Sequence, residues 1–292
     1  MTRLFEVNGE SFPLPSSESI KVVKISSHFE QTPTNLKYLK LAVRHFLAQS
    51  LKRNKALSDK SNVYSNKSSE TRIFYTAENF RVPANEQFSL SHDLDDYDSK
   101  NVYFPYLFDH LLMSKLGQHD HLFGSKIGYD YMFSGRKLIN KPQKYASIFY
   151  NNDLPFRRRI IALMSEHGKV DEFGKASGKY LDDRQNLFGQ YRFVLCPEND
   201  FYPGYVTEKI MHAYAMGAIP VYWGGLTRHQ GVNRRALIEI NPHKDLREQF
   251  MEIGKMNIKD YRQIYEQPLM NKEPNWEEIY KKIRFWIDSQ QI

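Results

Sequence analysis

The sequence predicts a two-part α/β protein whose second half is a doubly wound parallel sheet. Three observations predict it. From residue 145 onward, short apolar runs alternate with helical patterns of about three turns, the order that a parallel sheet requires. At 292 residues the chain exceeds one average domain. Between them, residues 117–144 are rich in Gly, Lys and His and contain Pro142, so they read as a linker. The boundary is therefore placed between an N-terminal domain, 1–140, and a C-terminal domain, 141–292.

Along the first domain, residues 20–26 alternate as a strand, and Leu36, Leu39, Val43, Phe46 and Leu47 mark a helix over 34–53. Residues 54–70 are polar and read as a loop with a short strand near Val63. Residues 72–76 form a buried-type strand, ended by Ala77-Glu78-Asn79 and then Pro83. A strand at 87–91 leads into the acidic loop from Asp93 to Asp98. In the second domain, strand 145–150 feeds helix 155–166, opened by Pro155 where a proline suits the first turn. Strand 191–197 feeds helix 205–216, and strand 218–223 ends at Gly224-Gly225. A strand at 236–240 and helices near 245–254, 258–266 and 275–288 complete the chain.

The bulk properties narrow the function. A hydrophobic share of 41% against 26% charged residues is the balance of a cored globular protein, not a disordered one. The net charge of +7 suits an anionic partner or a merely solvated basic surface equally; the basic residues are spread along the chain without a basic tail, and no nucleic-acid partner is expected. The single Cys196 excludes an intramolecular disulfide and a cysteine-built zinc site. No apolar run approaches the roughly 20 residues of a membrane span, and Met1–Glu6 lacks a signal-like apolar core. A cytoplasmic or membrane-peripheral location is the expectation.

Ligands of open parallel sheets bind beyond the carboxyl ends of the strands. That directs attention to 151–157, 198–209 and 223–228. The middle segment carries a Pro203-Gly204 turn into a helix start, with Tyr205, Glu208 and Lys209 beside it. A positive helix end and a mobile lysine suit a diphosphate, and a carboxylate suits a ribose diol. The residues alone leave a plainer reading open, in which Glu208 complements the dipole, Lys209 is solvated and Tyr205 packs. No P-loop and no G-x-G-x-x-G run occurs, which disfavours a kinase or a dehydrogenase.

The runs Tyr191–Asn199, Gly204–Ile210 and Gly217–Gly224 resemble the signature of the α-1,3/4-fucosyltransferases, glycosyltransferase family 10: Y-K-F-x-L-x-F-E-N, Y-V-T-E-K and A-x-P-V-Y-x-G. Residues 72–79 resemble its F-x-T-G-E-N strand end, and 149–157 its S-N…P-x-R segment. Ala77, Pro197 and Asp200 depart from the pattern, and the N-terminal half is shorter than usual, which leaves the acceptor open. The resemblance implies a GT-B-like fold of two Rossmann-like domains facing across a cleft, and inverting transfer of fucose from GDP-fucose to a glycan hydroxyl. The acceptor it implies is a lactosamine-type oligosaccharide, through O3 of N-acetylglucosamine. Glu78 is then the catalytic base, and Arg157, Lys209, Glu208, Tyr205 and Asn151 bind the donor. Arg158 or Arg159 takes the place of Arg157 if the register slips. No cofactor is required, and a divalent cation would only assist charge neutralisation. The D-x-D runs at 93–95 and 96–98 and the His119/His121 pair are set aside as metal sites. Open alternatives are the same fold with another nucleotide sugar, or a non-catalytic basic module binding glycan or nucleic acid.

Overall fold

The computed structural model describes residues 4–7, 10–13, 23–27, 71–75, 79, 81–82, 87–115, 128–181 and 184–289. The expected helix over 34–53 and the strand near Val63 lie outside them. By contacts the chain forms two units: Met1–Met113 with Asn275–Ile292, and Ser114–Pro274.

The first unit carries a six-stranded sheet, β1 (Leu4–Val7), β2 (Glu10–Pro13), β3 (Val23–Ser27), β4 (Thr71–Tyr75), β5 (Ser89–Ser91) and β6 (Asn101–Tyr103), in the order β2-β1-β3-β4-β5-β6. Among the described residues of this sheet, β1 and β2 pair antiparallel and the other ladders are parallel. Helix α1 (Tyr106–Lys115) follows β6, burying Leu107, Phe108, Leu111 and Leu112.

The second unit begins where a linker was expected. Here the short helix α2 (Tyr129–Phe133) and the segment after it are pinned to the unit. Arg136 lies between the rings of Tyr214 and Tyr265, 3.8 and 4.1 Å from their centroids, and donates to the carbonyls of Tyr214, Ala218 and Tyr265. Its buried guanidinium welds residues 128–140 to this unit, so the division by contacts falls earlier than 140/141. The last helix, α7 (Trp276–Ser289), returns to the first unit, where Trp286 stacks on Phe88 and Trp276 meets Phe108 edge-on.

Five parallel strands form the second sheet: β7 (Lys144–Phe149), β8 (Val170–Phe173), β9 (Tyr191–Pro197), β10 (Ile219–Trp223) and β11 (Ile238–Glu239), in the order β11-β10-β9-β7-β8. The helices are α3 (Pro155–Ser165), α4 (Lys209–Ala215), α5 (Leu246–Gly254) and α6 (Ile258–Tyr265). The apolar faces of α3, α5 and α6 meet the sheet in one core, with Ile148, Phe193, Leu195 and Val221 packed with Ile160, Met164, Phe250 and Tyr261; α4 buries Ile210, Met211, Ala213 and Tyr214. Pro220 is tolerated in β10 because β11 pairs only from Val221 onward, so no ladder bond needs the missing N–H. The side chain of Asn257 caps α6 by accepting from the amides of Lys259 and Asp260.

Candidate active site at the carboxyl edge of the second sheet

Counted in chain order, the strands of this sheet run 2-1-3-4-5. In that arrangement the connections after β7 and β9 diverge, and a crevice opens at their carboxyl ends. The predicted donor residues follow those two strands.

After β7, Arg157 lies in the first turn of α3 with only 2% of its surface exposed. One arm of its guanidinium donates to Asn152 O at 2.7 Å; the other donates to Asn199 Oδ1 at 2.6 Å and Pro197 O at 3.5 Å. It thus spans the crevice, joining the segment after β7 to the segment after β9. Arg158 points elsewhere: it grips Asp153 through two bonds of 2.6 and 2.9 Å and reaches Glu172 at 3.0 Å. Its hydrogen bonds hold the Asp153 carboxyl below the ordinary range. Arg159 is exposed. The inward guanidinium is therefore that of Arg157. Asn151 is exposed and accepts from the amide of Lys175, fixing the turn at Gly174, whose φ of 108° suits glycine alone.

After β9, helix α4 starts at Lys209 and not at 205. Residues 198–208 form a loop instead, because its polar groups are satisfied across it. Glu198 is buried and accepts from the Thr207 amide at 2.8 Å, from Thr207 Oγ1 at 2.9 Å and from Lys209 Nζ at 2.7 Å. Lys209 is therefore not the mobile cation expected from the sequence: a buried carboxylate holds it. Tyr205 is inside the unit, 1% exposed, while Glu208 is half-buried just before α4. The loop closes against β10, where Gly204 N donates to Gly225 O and buried Gln230 reaches Gly204 O. A Cβ on Gly225 would fall 1.5 Å from Tyr202 O, so only glycine permits this approach.

Arg184 adds a further guanidinium, 4.2 Å from the Phe149 ring centroid and 3.4 Å from His212 Nδ1. Because arginine only donates, His212 Nδ1 accepts there. Trp223, at the end of β10, packs on Phe156 and Phe201 at 4.1 and 5.7 Å between centroids. Three cations beside parallel-strand ends suit a phosphate-bearing ligand. In the sequence Glu198 and Asn199 stand only inside the motif run Tyr191–Asn199, with nothing in the run itself to mark their roles. The available signal was their place immediately past an apolar strand.

Glu78 lies outside the described residues, as do His119 and His121. In the first unit, on the segments that follow β4 and β5 in the chain, Arg81 Nη1 is 3.0 Å from Asn79 Oδ1 and 2.7 Å from His92 Nε2. Since arginine only donates, His92 Nε2 accepts, and burial pushes this imidazole down to about 4. Asp93 accepts from Tyr97 Oη at 2.8 Å, and Asp95 accepts from the Tyr97 amide. These carboxylates thus hold a loop in which Tyr97, Asp98 and Ser99 all have positive φ. Asn101 secures it, donating to the carbonyls of Asp93 and Asp95 and accepting from Ser89 and Ser91. Among the described residues no group of three metal-capable side chains occurs. Cys196 is buried, and burial, with Glu198 next, pushes its thiol well up and leaves it unreactive.

Two Rossmann-like units of this kind define a GT-B glycosyltransferase fold. The fold agrees with solved structures: an α1,3-fucosyltransferase with GDP-fucose superposes with a TM-score of 0.67 at 20% identity, covering 97% of this chain and 95% of that one. Residues 140–283 match the family model described as glycosyltransferase family 10 (fucosyltransferase) C-term. The C-terminal half of the chain belongs to that family. Among curated relatives, it is 29% identical to a protein of Acanthamoeba polyphaga mimivirus named as a fucosyltransferase, over 48% of this chain and 28% of that one. It is 25% identical to the alpha-(1,3)-fucosyltransferase FucT of Helicobacter pylori, over 61% of this chain and 42% of that one. The matched stretches thus span less than half the length of either relative.

Proposed function

We propose that this chain transfers fucose from GDP-fucose to a hydroxyl of a glycan acceptor, with inversion at the anomeric carbon. The observation that carries this reading is Arg157, buried across the crevice between β7 and β9 within the family 10 domain. Relatives and structural neighbours named for α1,3-fucosyl transfer, one of them holding GDP-fucose, support the donor and the linkage.

In the reaction, the acceptor oxygen attacks C1 of the β-linked fucose as its proton passes to the Glu78 carboxylate. The C1–O bond to the diphosphate breaks, and GDP leaves with the electron pair. Arg157 and Lys209 offset the charge that develops on the leaving group. Glu208 binds the ribose hydroxyls, with Asn151 and Tyr205 supporting the donor segment. Charge stabilisation comes from these side chains, so no bound cofactor is invoked; a divalent cation would be stimulatory only. The acceptor is a lactosamine-type oligosaccharide, modified at O3 of N-acetylglucosamine.

The test is GDP release from GDP-fucose with and without N-acetyllactosamine, in wild type and Glu78→Ala. Acceptor-dependent release that the variant loses supports the reading; an unchanged variant removes Glu78 as base.

Among the described residues, no helix is long and apolar enough to cross a membrane. One segment supports peripheral association. Ile139, 87% exposed, projects between the exposed Lys137, Lys141 and Lys144, with no acidic residue in the stretch. A basic segment with a projecting apolar side chain suits an anionic lipid surface.

A further inference from the structure

The buried ring of Glu198, Thr207 and Lys209 holds a carboxylate that the proposed reaction does not use. A buried charge costs free energy unless it is paired and hydrogen-bonded. The Glu198 side chain has no exposed surface, and its acceptor capacity is met by the Thr207 amide, Thr207 Oγ1 and Lys209 Nζ. Lys209 Nζ also lies 2.9 Å from Thr207 Oγ1, so the three residues close a ring across the loop between β9 and α4. The carboxylate itself is anchored: Glu198 N donates to Trp223 O at 2.9 Å, and its Cγ lies so near Gly224 that a Cβ there would come within 2.6 Å. The next residue, Asn199, contacts Arg157 instead. Consecutive residues at one strand end thus fix two cations.

We infer that Glu198 is a positioning residue for the donor site, acting through Lys209. It holds the ammonium and the 204–207 main chain in the arrangement that receives the diphosphate. Because Glu198 fixes where Lys209 Nζ lies, the ammonium meets the charge of the leaving group from one defined direction. This rests on the donor assignment above.

The test is a double-mutant cycle over Glu198→Gln, Lys209→Met and the two combined, read by GDP affinity and by KM for GDP-fucose against kcat. Glutamine can still accept from Thr207 but no longer offers a charge. Glu198→Gln is expected to weaken GDP binding about tenfold, and Lys209→Met about a hundredfold. The combined variant should bind no more weakly than Lys209→Met alone. If Lys209→Met fails to fold because it strands the buried carboxylate, the combined variant removes that charge, and its comparison with Glu198→Gln carries the test. An affinity equal to that of Glu198→Gln would then mean that Lys209 contributes nothing for Glu198 to position. Additive losses, or a lower Tm with GDP affinity unchanged in Glu198→Gln, overturn the positioning role. Wild-type protein that binds neither GDP nor GDP-fucose instead overturns the donor assignment itself.

Discussion

Arg157 Nη2 lies 2.6 Å from Asn199 Oδ1, a bond that crosses from the segment after β7 to the segment after β9. The same guanidinium holds Asn152 O through its other arm. Only a planar fork makes both contacts from a buried position.

Arg157→Ala is therefore expected to raise the dissociation constant for GDP about a hundredfold, and Arg157→Lys to recover less than a tenth of that loss, since an ammonium cannot span both partners. Calorimetric titration of GDP checks it, with thermal unfolding of each variant alongside.

His92 sets an acid limit on stability. Its imidazole falls from 6.5 to about 4 because it is buried, with the nearby Arg81 also lowering it and Asp93 opposing. The unfolded chain takes up this proton first as pH falls. The stabilisation is thus complete above about pH 6.5 and is lost toward pH 4, by roughly 3 kcal/mol. Denaturant midpoints from pH 7 to 4 should show this slope once Asp109 is replaced by Asn, and adding His92→Gln in that background should flatten it.

Asp109 has the opposite sign. Burial raises its carboxyl from 3.8 to about 6, against a small opposing effect of His110, and Oδ1 has no hydrogen-bond partner among the described residues. The folded state keeps this proton longer as pH rises, so stability declines between about pH 4 and 6 and the cost is complete above. Asp109→Asn is expected to raise the denaturation midpoint at pH 7.5, by up to about 3 kcal/mol, and to leave it unchanged at pH 3.5. The two groups oppose each other in one pH window, so each variant should unmask the slope of the other residue.

The second unit was the more legible in sequence. The strand at 191–197 coincides with β9, and helices over 155–166, 245–254 and 258–266 fall within a residue or so of α3, α5 and α6. Their apolar residues face one core, and that periodicity is what a sequence displays. β8 was not read because Asp171 and Glu172 interrupt its apolar character, which an edge strand permits. Helices α1 and α2 were missed for related reasons: α1 buries residues all round instead of along one stripe, and α2 has five residues. At the site, the family resemblance pointed to Arg157 and the expected helix start to Lys209, but the partner that makes Lys209 a held cation was invisible. Glu198 and Lys209 are eleven residues apart, and only the loop closed by Thr207 brings them together.

The segment around Ile139 gives a separate expectation. Wild-type protein should sediment with vesicles containing anionic phospholipid and not with neutral phosphatidylcholine vesicles. Ile139→Asp combined with Lys137→Glu and Lys141→Glu should abolish it while leaving GDP affinity unchanged. Equal sedimentation with both vesicle types would remove the electrostatic account.

The most direct measurement of the central claim is GDP release from GDP-fucose, followed as acceptor is added, for wild type and Arg157→Ala. Release is expected to depend on N-acetyllactosamine and to be lost in Arg157→Ala together with GDP affinity. Acceptor-dependent release that persists in Arg157→Ala would contradict it, because the crevice between β7 and β9 would then not be where the donor binds.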